Sequence, residues 1–520
     1  MSERIRPTRR DRATRPDCPT RKTRAGARPG PPHQALAAAL LLGLSVACSG
    51  GGELEQADRN VLLVVVDTLR ADRLGCYGNE RGLTPRLDAL AAEGLIFESA
   101  SAHAPWTLPS TASLLTSLYP RQHGAGGRVP NFTALAPEVE TLAERFAAAG
   151  HRTGLIANVI FLGELFGLTR GFEHTDVQSF EDNERMRPAG ATTDAALAWL
   201  DRTEPSGDRP FFLLVHYFDP HAVYDPPQPF RRRFAEPRDR EGGLKFGTRE
   251  QMVGLRTGLF DPGPGMVRRA EALYDGEVAY TDAEVGRLID GLAERGLADS
   301  TLVVLTSDHG EEFRDHGGLE HGHSLYSELL HVPLILRVPG AAPARVSAGV
   351  GLIDVAPTIC GWAGLEPSRQ FLGRDLVSML AGGPAAVDRD VLAHGNFWNA
   401  PLTSWRSGAD KLIVYPDGAA QLYDWKLDPG EQSDRAGAEA AHLRSLRDAL
   451  GRAEDALQAR GLTAPVEVPA EGLRGLEALG YTDGPVSVEP GPDEPGPNEP
   501  GPIEPGPHQP ESDGRPPGEQ

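Results

Sequence analysis

Cysteine is scarce in this chain, with only Cys18, Cys48, Cys76 and Cys360 among 520 residues. Four thiols so widely scattered exclude a disulfide framework and a cysteine-rich zinc site. Cys76 and Cys360 read as two buried free thiols, a single bridge between them being the alternative. Positive charge is also short: the formal net charge is -21. That excludes nucleic acid as a natural partner, because neutralising phosphates needs clustered Lys and Arg. An anionic small substrate stays open, since a bound metal reverses the local field. The uncharged run from Ala35 to Ala47 falls short of the roughly 20 apolar residues that a membrane span needs.

The two ends differ from the acidic average. Residues 1–33 carry ten Lys or Arg against three acidic residues. A basic segment, a short apolar run and then small residues form the pattern of a secretory signal. Leu44-Ser45-Val46-Ala47-Cys48 resembles a bacterial lipobox, with Ser45 where that pattern usually has Leu. Cys48 would then carry lipid, and Ser49-Gly50-Gly51-Gly52 would be a flexible tether. The expected location is the periplasm or cell envelope, with a lipid anchor as the membrane contact. From Glu489 to His508 the unit Glu-Pro-Gly-Pro-x repeats four times. Proline removes donors and almost nothing apolar remains to bury, so a disordered, semi-extended tail is expected.

Between these ends, short apolar runs alternate with helical patterns, the signature of a mostly parallel α/β sheet. Val61–Val66, Phe211–Phe218, Leu302–Thr306 and Val332–Val338 read as buried strands. Leu273, Val278, Val285, Leu288 and Leu292 predict a long helix over Arg269–Arg295 with one buried face. After about Ser368 the pattern changes. Lys411–Tyr415, Pro416-Asp417-Gly418 and Gln421–Asp424 predict a hairpin, and a helix is expected from about Ala440 to Arg460. The expected division is 1–57 for the basic, signal and tether segment, and 58–367 for a large α/β catalytic domain. Residues 368–483 form a small α+β subdomain, and 484–520 the repeat tail.

Asp67 directly follows the first strand, and Asp308 and His309 follow the third. In open α/β sheets the ligand site lies outside the carboxyl ends of the strands. Two carboxylates and an imidazole meeting there make a metal site; singly, each is as easily a capping or satisfied polar residue. Thr107 precedes Pro109, which suits the first turn of a helix. It is thus either a cap or a nucleophile placed where the helix N-terminus stabilises an oxyanion. Asp315, His316, His321 and His323 raise a second metal as an option. Gln178–Gly190 and Asp225–Pro264 are the expected specificity loops, the latter as a lid.

Val66-Asp67-Thr68-Leu69-Arg70-Ala71-Asp72-Arg73-Leu74-Gly75-Cys76-Tyr77-Gly78, Tyr274–Tyr280, Thr306-Ser307-Asp308-His309-Gly310-Glu311 and Leu352–Thr358 together resemble the sulfatase family of the alkaline phosphatase superfamily. The resemblance spans about Asn60 to Tyr481. It implies a large alkaline-phosphatase-like sheet flanked by helices, metal ligation by Asp67, Thr107, Asp308 and His309, and Thr107 as nucleophile. It further implies that His221 contacts the oxyanion or leaving group. His323 would stand where sulfatases carry a sulfate-binding lysine, and His123 would lie on the substrate side.

Three departures shape the expected chemistry. Thr107 replaces the Cys or Ser that sulfatases oxidise to formylglycine, and Thr111 replaces the supporting arginine. Thr68 stands where many members have a further metal-binding Asp, and His309 where many have Asn. Imidazole in place of oxygen shifts the expected single divalent metal toward zinc or manganese, with calcium or magnesium as alternatives. This set resembles that of the phosphoethanolamine and phosphoglycerol transferases of the superfamily. The leading expectation is a hydrolase or transferase for a phosphate, phosphonate or sulfate ester of a small molecule, glycan or lipid head group. The alternatives are an arylsulfatase-like enzyme working without formylglycine, and a catalytically inactive binding protein on the same fold.

Overall fold

Val61 to Val66 can bury both faces only if the sheet is covered on both sides, and that requirement organises the molecule. The computed structural model describes residues 59–482, except 179–185, 203–208, 242–244, 381–388, 396, 399–400, 458–463 and 479–480. The signal and lipobox segment and the repeat tail lie outside the described residues. Eight strands form the main sheet: β1 (Asn60–Val66), β2 (Leu95–Ser101), β3 (Arg152–Ala157), β4 (His174–Val177), β5 (Phe211–Tyr217), β6 (Thr301–Thr306), β7 (Leu334–Arg337) and β8 (Ala344–Gly351). Their order is β8-β2-β7-β6-β1-β5-β3-β4. Every neighbouring pair is parallel except those made by β7, which runs against both β6 and β2.

Alternation along β1 sorts the core. Val61, Leu63 and Val65 join Leu108 and Leu114 of α1 (Thr107–Thr116) on one face. Leu62, Val64 and Val66 face the other way, against α2 (Ala189–Leu200) and the long α3 (Pro264–Glu294). On α3 the five apolar positions expected to be buried are all buried. Each such side chain contributes about 1.5–3 kcal/mol relative to exposure.

The C-terminal change of character is real. The strands β9 (Val391–Gly395), β10 (Leu402–Ser407), β11 (Asp410–Val414) and β12 (Ala420–Asp424) form an antiparallel sheet in chain order. The hairpin is β11–β12, paired Leu412↔Leu422. Leu412 and Trp405 pack with Leu450 of α4 (Ala440–Ala456). A last helix, α5 (Ala470–Ala478), returns toward the first domain. Cys76 and Cys360 are free thiols. The Asp225–Pro264 stretch, expected as a lid, contains two short helices, Phe230–Phe234 and Arg249–Arg256. Ion pairs tie it down, Arg231 to Asp225 and Asp239 to Arg269.

Candidate active site

The carboxyl ends of β1, β5 and β6 adjoin in the sheet, so whatever follows them converges. Asp67 leaves β1 with its N–H donating to Tyr217 O at 2.9 Å. Thr68 then takes a left-handed conformation, φ 56°, which costs a β-branched residue of order 1–3 kcal/mol. Its surroundings hold it there: Tyr274 donates to Thr68 O at 2.8 Å, and Leu69 N donates to Ser307 Oγ at 2.9 Å. Asp308 and His309 follow β6, one residue after Ser307. Thr107 opens α1, as its proximity to Pro109 suggested.

The four residues meet. His309 Nε2 lies 3.5 Å from Asp67 Oδ1, 3.5 Å from Asp308 Oδ2 and 3.3 Å from Thr107 Oγ1. His309 Nδ1–H donates to Gly310 O at 2.9 Å, which places a proton on Nδ1 and turns Nε2 toward the carboxylates. A fifth residue, His216, was missed in the sequence. It sits on β5 opposite Val65, on the same face as α1, with Nε2 3.6 Å from Asp67 Oδ2. Burial pushes its pKa down to about 4, so the ring is neutral at pH 7 and free to ligate.

All five side chains are fully buried. Among the described residues, both Asp67 oxygens, Asp308 Oδ2, Thr68 Oγ1 and both His216 nitrogens have no hydrogen-bond partner. Burial, and then the charges of Asp308 and Glu311, hold the Asp67 carboxyl well above its usual range. Buried carboxylates without donors cost several kcal/mol each unless a cation compensates. Asp67, His216 and Asp308 place a ligand atom each within 4.8 Å of one another. Two carboxylates and up to two imidazoles fit a divalent transition metal, so the donor set and the missing partners agree.

His221 and His321 form a second layer. His221 Nδ1 donates to Ala222 O at 2.7 Å and its ring stacks on Phe218. His321 Nδ1 faces Glu311 Oε1 at 3.0 Å, and its ring lies 4.5 Å from that of His309. Both Nε2 atoms meet the hydroxyl of Tyr481, at 3.3 and 3.0 Å. Burial depresses His221 to about 3 and His321 well below the usual range.

Two expected residues are placed elsewhere. His123 is spent against α1 and its own turn: Nε2 lies 3.1 Å from Ser113 Oγ and from Pro109 O, and Nδ1 accepts from Ala125 N. His323 pairs with Glu312 at 2.6 Å and lines an outer cleft of about 660 Å³ with Arg256, Arg314, Glu320 and Trp398. It is His321, two residues earlier, that faces His309. The set considered for a second metal separates as well. Asp315 binds Arg70, and His316 binds Glu328.

Known proteins resemble this chain in sequence and in fold. Human iduronate 2-sulfatase is 28% identical over 419 residues, covering 68% of this chain and 74% of its own. The multifunctional alkaline phosphatase superfamily protein PehA of Trinickia caryophylli is 28% identical over 492 residues, covering 75% of this chain and 93% of its own. The phosphonate monoester hydrolase of Agrobacterium radiobacter superposes with a TM-score of 0.62 at 24% identity, over 79% of this chain and 99% of that one. A family model described as Sulfatase matches residues 59–365. With an alkaline-phosphatase-type sheet and its acidic strand ends already in place, that match identifies the chain as a member of the sulfatase family of ester hydrolases.

Proposed function

We propose that this hydrolase cleaves a phosphate or phosphonate ester, or transfers its phosphoryl group, with Thr107 as nucleophile and one divalent metal held by Asp67, Asp308, His309 and His216. One observation carries the reading: the Thr107 hydroxyl lies 3.3 Å from His309 Nε2, beside three buried carboxylate oxygens that lack any donor. A divalent cation bound there, zinc or manganese by its nitrogen donors, offsets the carboxylates and polarises the hydroxyl and the ester. The N-terminus of α1 directs its dipole at the same point. The Thr107 hydroxyl gives up its proton to water, Oγ1 attacks phosphorus in line as the bond from phosphorus to the ester oxygen breaks, and that oxygen takes a proton from water as it leaves on the His221 side. The phosphothreonine then passes to water or to an acceptor alcohol.

Threonine also argues against ordinary sulfatase chemistry, because its oxidation gives a ketone rather than an aldehyde. A sulfate ester remains the second reading, favoured by the sulfatase relatives. The outer cleft, with Arg256 and Arg314 on its wall, suits the remainder of an anionic small molecule, glycan or lipid head group. The basic and apolar N-terminus supports action outside the cytoplasm.

Intact-mass measurement after exposure to an aryl phosphate, alongside metal analysis, tests the reading. A phosphate-sized adduct at Thr107 with about one transition metal per chain is expected. Thr107→Ala should lose roughly three or more orders of magnitude in kcat, and full activity in that variant would discard the nucleophile. Aryl sulfate turned over much faster than aryl phosphate would favour the second reading.

A further inference from the structure

Resting on that reading, we infer that the Tyr481 hydroxyl occupies the place of a substrate oxygen, making this side chain an internal competitor that an incoming ester must displace.

The two histidines on the leaving-group side have one nitrogen each committed inward. His221 Nδ1 donates to Ala222 O, and His321 Nδ1 faces Glu311. Their remaining Nε2 atoms converge, with ring centroids 4.9 Å apart. The two Nε2 atoms thereby define a position for one oxygen. Tyr481 fills it, 3.3 Å from one and 3.0 Å from the other. The 3.0 Å contact is an ordinary hydrogen bond and the 3.3 Å one a longer, weaker bond, the hydroxyl donating to one ring nitrogen and accepting from the other. From there the line to the nucleophile is continuous: His321 lies against His309, and His309 Nε2 faces Thr107.

The phenol is held as a ligand would be. Phe161 and Phe397 meet its ring edge to face at 5.2 and 5.1 Å, and Trp398 lies parallel to it at 6.3 Å. Trp398 in turn lines the outer cleft, with the Arg256 guanidinium 3.4 Å above its ring. Tyr481 is itself buried, at 4% exposure, and Asp67, Thr107, Asp308 and His309 are fully covered. An ester therefore reaches Thr107 only after something moves. The Tyr481 side chain is the candidate, being joined to the histidines through a hydroxyl whose donor and acceptor roles a protonated phosphate oxygen (P–OH) can take over.

The probes are inorganic phosphate, followed by calorimetry on the metal-loaded protein, and p-nitrophenyl phosphate for KM. Tyr481→Phe keeps the ring in its aromatic surround and removes only the competing oxygen. Phosphate should bind roughly three- to tenfold more tightly, the worth of about one hydrogen bond, and KM should fall. Trp398→Leu, which loosens the surround and keeps the hydroxyl, should move both in the same direction; thermal unfolding verifies that each variant is folded. Unchanged or weaker phosphate binding in a folded Tyr481→Phe overturns the inference. The result is separable from the nucleophile question, since phosphate binding does not require Thr107. Tighter phosphate together with a fully active Thr107→Ala would retain the competitor and discard the threonine mechanism.

Discussion

Gly310 lies between His309, which faces Thr107, and Glu311, which holds His321. A Cβ there would lie 1.9 Å from Glu328 O, a backbone atom that cannot rotate away. Gly310→Ala should therefore displace the His309 turn, lowering kcat at least about tenfold by misplacement of site groups, as steady-state kinetics would show. His216→Ala should weaken metal affinity at least about tenfold, measured by competition with a chromophoric chelator; unaltered affinity would remove His216 from the ligand set. Asp67, Asp308, His309 and Thr107 were legible in sequence because each follows a strand or opens a helix, where side chains are free to converge. His216 was not, because a lone histidine within Phe211–Tyr217 reads as strand. The available signal was its alternation with Phe212 and Leu214, which puts it on the face of α1. His321 and His323 are two residues apart in a loop, and spacing alone does not say which of them turns inward.

Among the elements, strands and helices were legible wherever the apolar period was unbroken, as in β1, β5, β6 and α3. The direction of β7 was not: a buried run looks the same parallel or antiparallel. Contacts between the two domains were equally hidden, and His316 is the instructive case. Its Nδ1 binds Glu328 at 2.7 Å, its Nε2 meets Glu431 O at 3.1 Å, and its ring stacks on Tyr326 at 3.6 Å. Burial alone would lower its pKa. The hydrogen bond and charge of Glu328 outweigh that and raise it to about 9. A raised folded pKa means that the stabilisation is complete below the unfolded value of about 6.5 and is lost as pH rises through about 9. Thermal melting of the native protein should thus fall between pH 7 and 10 more steeply than that of His316→Gln. Parallel curves would show that the pair contributes nothing to the joint.

For the molecule as a whole, the cost of the uncompensated carboxylates predicts a stability that depends on the proposed cation. Chelation should lower the melting temperature, and zinc or manganese should restore it by the binding linkage. A midpoint indifferent to both would mean that the buried acids are neutral and the site is not a metal centre. The His316 arm and the metal arm are independent, because one joins two domains at the surface and the other lies beneath α1.

The 260 positions between His221 and Tyr481 bear on how the protein is made. Synthesis delivers Thr107 and every residue of the proposed metal set before Tyr481, so the oxygen that meets His221 and His321 is the last of these groups to be made.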